Sequence, residues 1–199
     1  MFPVYYNFAG TTLDSRISTI SGVTLTQNNG LSVADTTNDT YYILTSSYAT
    51  SPFVMEADET YYGVSDSING NEQWGLVADS STSTSQNTGS SLGGTNYLAR
   101  IINFAGYSPR LTASGIVIGA GTLNYSSQYT AIDSFTQTPS GITATFNGTS
   151  VSASTTELTS GYIGFFIYSL TNSNIATVQW LRTRAYPPNG VMPSVEVIA

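Results

Sequence analysis

The sequence predicts an all-β protein, two antiparallel sheets packed as one sandwich. Three observations carry that expectation. Apolar and polar residues alternate in short runs, and no stretch sustains the 3.6-residue period of a helix. Gly, Asn, Ser and Thr punctuate the whole length, as turn chemistry demands. The chain has 199 residues, 40% of them hydrophobic, with 14 Tyr, 8 Phe and 2 Trp. Such a chain buries roughly 70% of its unfolded surface, enough for one large core.

The elements follow in order. Val4 to Phe8 reads as a first strand, closed by a turn over Ala9 to Asp14. Ser21 to Thr26 and Gly30 to Ala34 form a hairpin through Asn28-Asn29-Gly30, where Asn-Gly favours positive φ. Tyr41 to Ser46 is the next strand, and Phe53 to Glu59 its expected partner. A meander follows, with strands over Gln73–Asp79, Tyr97–Phe104 and Arg110–Gly119. Ser80 to Thr95 is low in complexity and almost free of apolar residues, which marks a loop. Tyr129 to Thr136 is a strand. Ile142–Phe146 and Ser150–Ala153 make a hairpin over Asn147-Gly148-Thr149.

The closing stretch is Gly161 to Gly190, GYIGFFIYSLTNSNIATVQWLRTRAYPPNG. It reads as two strands joined at Thr171 to Asn174. The first is apolar on both sides, as suits a strand inside a sheet covered on both faces. In the second, strict alternation places Val178, Trp180, Arg182 and Arg184 on one face, with Trp180 expected in the core. Pro187-Pro188 ends the ladder. The G-x-I-G-F strand, the short turn and the V-x-W-L-R-x-R strand resemble the closing hairpin of concanavalin A-like (laminin-G-like) jelly rolls. The following segment, RAYPPNGVMPS, resembles the end of lectin-like modules in archaeal cell-surface proteins. The resemblance implies a concanavalin A-like jelly roll of about twelve strands, with the first strand lying near the closing hairpin. It lends no catalytic residue. Residues 1-186 are read as the single domain, and 187-199 as a linker or a strand lent to a neighbour.

Composition excludes several functions. All five cations are Arg (Arg16, Arg100, Arg110, Arg182, Arg184), and the net charge is −7. That balance argues against nucleic acid. Zero Cys removes disulfides and thiolate chemistry, and zero His removes the commonest triad base and zinc ligand. No apolar run reaches the length of a membrane span. Met1-Phe2-Pro3 leads straight into a strand, so no signal peptide is read there. Only 9% of residues are charged, against about 25% in ordinary domains. A neutral, Lys-free surface suits an extracellular protein from an acidic, hot habitat, where Lys would leave the surface self-repelling. A neutral secreted domain is the plainer alternative.

Chemistry is expected in the meander. Alternation puts Val54, Glu56 and Asp58 on one face of their strand. Arg100, set among apolar residues, needs a carboxylate partner, and Glu56 or Asp58 is the expected one. Tyr61, Tyr62, Trp74, Tyr97 and Tyr107 supply aromatic faces for stacking on sugar rings, or ordinary packing. Asp66, Asn69, Asn71 and Glu72 have the oxygen-rich texture of a calcium loop, or of plain turn punctuation. Asn38, Asn124 and Asn147 lie in N-x-S/T sequons. Glu56-Ala57-Asp58-Glu59 resembles the E-x-D-x-x-E strand of family 16 glycoside hydrolases, but Tyr61 stands where the last carboxylate belongs, and Thr60 in the shorter form.

The expected function is therefore a non-catalytic, extracellular adhesion or glycan-binding module of an archaeal surface protein or archaeal virus particle. Its partner is a cell-surface or host glycan, and its one candidate cofactor is calcium. The first alternative is a self-associating filament or virion subunit that exchanges terminal strands. The second is a degenerate family 16-like glycosidase.

Overall fold

The computed structural model describes residues 4–19, 24–34, 40–61, 70–77, 96–102, 108–113, 116–120, 128–155, 159–169 and 176–187. Fifteen strands and no helix occur among them, against the twelve or so expected. The first five are β1 (Val4–Asn7), β2 (Ile17–Thr19), β3 (Thr24–Gln27), β4 (Leu31–Ala34) and β5 (Thr40–Thr50). Then come β6 (Phe53–Tyr61), β7 (Gly70–Val77), β8 (Asn96–Ile102), β9 (Ser108–Ala113) and β10 (Ile116–Ala120). The last five are β11 (Tyr129–Thr138), β12 (Gly141–Phe146), β13 (Thr149–Ala153), β14 (Ser160–Ser169) and β15 (Ala176–Ala185). Beyond the thirteen segments read from the sequence, the additions are β2 and the break of the expected Arg110–Gly119 strand into β9 and β10.

Two antiparallel sheets hold them. The first runs β13-β12-β11-β6-β15-β4-β3, with β1 also paired to β15. The second runs β10-β9-β8-β7-β14-β5-β2. The β7-to-β10 meander and the β12–β13 hairpin stand as expected, and the first strand does lie against the last. Two expected hairpins do not form. β5 pairs with β14 and β2, whereas its supposed partner β6 lies in the other sheet between β11 and β15. Likewise β14 lies centrally in the second sheet and β15 in the first, so the closing stretch crosses between sheets. Alternation announces a strand but carries no information about its partner.

The core lies between the sheets. Phe53, Met55, Ala57 and Glu59 of β6 are buried, as are Asp133, Phe135 and Gln137 of β11. They share a face because Phe135 opposes Met55 and Asp133 opposes Ala57. Ile142, Ala144 and Phe146 extend that face along β12, and Val4 and Tyr6 extend it along β1. Phe135 and Phe53 stack obliquely, with ring centroids 6.3 Å apart. At one margin β10 approaches β13: a Cβ on Gly119 would stand 3.2 Å from the Ser152 carbonyl.

β15 contains a β-bulge. Its register against β6 jumps between Val178 and Trp180, so Gln179 is the extra residue. Val178 is buried, and after the bulge Leu181 and Thr183 are the buried residues. Trp180 is therefore turned away from the core, half-buried on the outer face with Arg182 and Arg184. This corrects the placement of Trp180 inside.

Asp133 clamps the β12–β13 turn from within the core. It is 1% exposed. Its carboxylate accepts the Asn147 backbone N–H at 2.8 Å and the Tyr129 hydroxyl at 2.7 Å. Asn147 (φ 43°) and Gly148 (φ 79°) both need the left-handed region, which suits Asn-Gly. Burial pushes the Asp133 carboxyl up to about 6, against the two hydrogen bonds that pull it down. The fold thus favours the protonated form. Its contribution to stability is full below the unfolded value of 3.8 and is lost as pH rises through about 6. Asp133→Asn should raise the melting temperature above pH 6 by several degrees, a gain of roughly 2 to 3 kcal/mol. Its advantage over the wild type should vanish below pH 4, as melting curves across pH 3 to 8 will show.

Candidate functional site

The outer face of the first sheet gathers the polar chemistry. β6 presents Val54, Glu56, Asp58 and Thr60 outward, because the intervening residues point into the core. Across the ladder Glu56 opposes Arg182, Val54 opposes Arg184, and Asp58 opposes Trp180. On the far side of β15, Tyr5 opposes Arg182 and Asn7 opposes Trp180.

Glu56 is the hub. Oε2 accepts from Arg182 Nε at 2.7 Å. Oε1 accepts from Arg184 Nη2 at 2.8 Å and from Arg184 Nε at 3.2 Å. The Glu56 side chain keeps 11% of its exposure, Arg182 25% and Arg184 18%. Burial alone would push the Glu56 carboxyl up, but the hydrogen bonds from Arg184 and Arg182 together outweigh it and hold the group below its usual 4.5. Anchored at Nε, the Arg182 guanidinium lies 4.6 Å from the Trp180 ring centroid, a cation–π contact. Tyr5 is 44% exposed beside it.

The expected partnership with Arg100 is replaced. Arg100 lies on β8 in the second sheet, opposite Gln73 and Arg110, whereas β6 belongs to the first. Glu56 is answered instead by the two arginines of its own neighbouring strand. Trp74 (β7) and Tyr97 (β8) also belong to the second sheet, while Tyr61 ends β6. The expected set is thus divided between the sheets. Tyr62 and Tyr107 lie outside the described residues. So do Asp66 and Asn69 of the expected calcium loop, and the sequons at Asn38 and Asn124. Asn147 is exposed at the β12–β13 turn.

Asn71 and Glu72 are consecutive residues of β7 rather than loop. No cluster of three acidic groups occurs among the described residues. Glu56 and Glu59 fall on opposite faces of β6, and Glu59 is fully buried.

Alternation and the bulge together explain what sequence reasoning missed. The Arg182-x-Arg184 spacing was visible, and an acidic residue on an adjacent strand is its natural complement. The neighbour's identity was not visible.

Solved structures share this architecture. The Emp47p carbohydrate recognition domain superposes with a TM-score of 0.67 at 12% identity, covering 90% of this chain and 93% of its own. The exoplasmic/lumenal domain of VIP36, in a form bound to Ca2+ and Man2, gives 0.63 at 8% identity, with 94% of each chain covered. The carbohydrate binding module CBM66 from Bacillus subtilis gives 0.59 at 14% identity, covering 85% and 96%. No family model matches the chain, and no curated protein matches it in sequence. The fold is thereby defined: an all-β jelly-roll sandwich of the kind these carbohydrate-binding domains have.

Glu56→Gln should lower stability at pH 7 by about 1 to 3 kcal/mol, because it weakens charge-assisted bonds to two arginines. The sign with pH is opposite to that of Asp133. A depressed carboxyl contributes above its unfolded value of 4.5 and loses that contribution as pH falls through the folded value. The gap between variant and wild type in urea melts should accordingly close in strong acid.

Proposed function

We propose that this chain is a non-catalytic glycan-binding module serving adhesion outside the cell, and that it binds on the outer face of the first sheet. The observation that carries the reading is the outer-face patch of Tyr5, which is exposed, with half-buried Trp180 and Arg182 beside it. It stands on a fold that carbohydrate recognition domains share. Aromatic faces stack on the C–H faces of sugar rings, and Asp58, placed opposite Trp180, is positioned to hydrogen-bond ring hydroxyls. Trp74, Tyr97 and Arg100 stay with the second sheet, and our reading gives them no part in binding.

The non-catalytic part has chemical support. A retaining glycosidase needs two carboxyls about 5 to 5.5 Å apart, one of them a proton donor with a raised pKa. Glu56 is shifted the other way and is tied to two guanidiniums. Glu59 faces the core.

The setting we assign is an archaeal surface protein or a virus particle infecting such a host. The support is the closing RAYPPNGVMPS segment and the Lys-free surface. Calcium stays in this reading as a candidate ligand of the Asp66–Glu72 segment, of which Asp66 and Asn69 lie outside the described residues. A glycan-array screen at pH 3 and pH 7, with calcium or chelator, tests the assignment. Specific binding that Trp180→Ala reduces at least about tenfold is expected, the scale of one lost stacking contact. Binding that Trp180→Ala leaves unchanged places the site elsewhere, and a blank array removes the function.

A further inference from the structure

The outer face of the first sheet continues well beyond the aromatic patch. Outward residues of β11, β12 and β13 form a grid. Ser134 opposes Thr145, which opposes Ser150; Thr136 opposes Thr143, which opposes Ser152. Every position in it bears a hydroxyl, and none is charged. Thr145 and Ser150 hydrogen-bond through their hydroxyls at 2.8 Å, as do Thr143 and Ser152. Each hydroxyl has one donor and two acceptor positions, so such a pair keeps capacity for a third group.

Register joins this grid to the aromatic patch in a straight line. Ser134 opposes Glu56, Glu56 opposes Arg182, and Arg182 opposes Tyr5. The row Ser150–Thr145–Ser134–Glu56–Arg182–Tyr5 therefore crosses six adjacent strands. At about 4.8 Å per strand it spans roughly 24 Å. Exposure falls toward its middle: Ser150 is exposed and Tyr5 is 44% exposed, while Glu56 is 8% and neighbouring Val54 4%. Glu56 is covered there by the two guanidiniums that it holds, so the row is closed and flat at its middle and open at both ends. Its charges cancel, since Arg182 and Arg184 stand against Glu56 and Asp58.

We infer that this row is an extended binding surface for a neutral polysaccharide chain lying across the strands, rather than a pocket for one terminal sugar. The inference rests on the glycan-binding reading and specifies its ligand. The cancelled charges select an uncharged chain. The hydroxyl grid, donor and acceptor at once, suits successive sugar rings whose own hydroxyls have both capacities. Trp180 and Tyr5 hold one end of the chain, and Thr143, Thr145, Ser150 and Ser152 hold the other.

The test is calorimetric titration with neutral oligosaccharides based on glucose, mannose and xylose, from a single ring up to about eight rings, where each strand spacing offers room for roughly one ring. Affinity should climb with length and level off near five or six rings, the span of the row. Thr143→Val together with Thr145→Val keeps the β-branched shape and removes two hydroxyls. The pair should weaken long chains about tenfold and leave one- and two-ring ligands unchanged. Ser150→Ala with Ser152→Ala, on exposed positions, should repeat the result if the first pair melts early. Length-independent affinity, long-chain binding that ignores both variants, or preference for a polyuronate overturns the extended surface while leaving glycan binding intact. Silence toward every sugar overturns glycan binding itself, and the extended surface with it.

Discussion

The bulge at Gln179 is the feature on which the rest of this face depends. A strand has a period of two, so one extra residue exchanges inside for outside along everything that follows. Val178 is buried before it; Leu181 and Thr183 are buried after it. Without that step, Trp180, Arg182 and Arg184 would be aimed at the core, where two guanidiniums meet no solvent. With it they reach the outer face together, opposite Asp58, Glu56 and Val54. The hub on Glu56 and the Arg182–Trp180 contact both follow from that one irregularity.

Two perturbed carboxyls of the first sheet, Asp133 and Glu56, work in opposite directions. Asp133 faces inward, and burial raises it; Glu56 faces outward, and two arginines lower it. One favours the folded state in acid and the other favours it nearer neutrality. A protein carrying both keeps part of its electrostatic stability on either side of pH 5. Asp14 belongs with Glu56, held down by its hydrogen bond to Arg16, although that pair is largely exposed and contributes little.

A scarcity of charge shapes the surface as well. Where most proteins place Lys and Glu, β11, β12 and β13 place Ser and Thr, and neighbouring hydroxyls satisfy one another across the strands. Such a face has no field to steer an ion, so any partner must match it by local hydrogen bonding and shape.

By itself the sequence determined the all-β class, most strand positions, the Asn147-Gly148 turn and the face that Glu56 shares with Asp58. These are local properties: backbone periodicity and turn chemistry act over a few residues. Tertiary structure alone decided which strands pair. β5 and β6 are adjacent in sequence, yet they belong to different sheets, because sheet membership follows from which inner faces fit, as Met55 fits Phe135 and Thr183. It also decided that Glu56 meets Arg182 and Arg184 rather than Arg100, and that Trp180 faces outward. Partner choice spans more than a hundred residues of chain, and the bulge that reverses β15 exists only relative to β6, so neither is written in any local pattern.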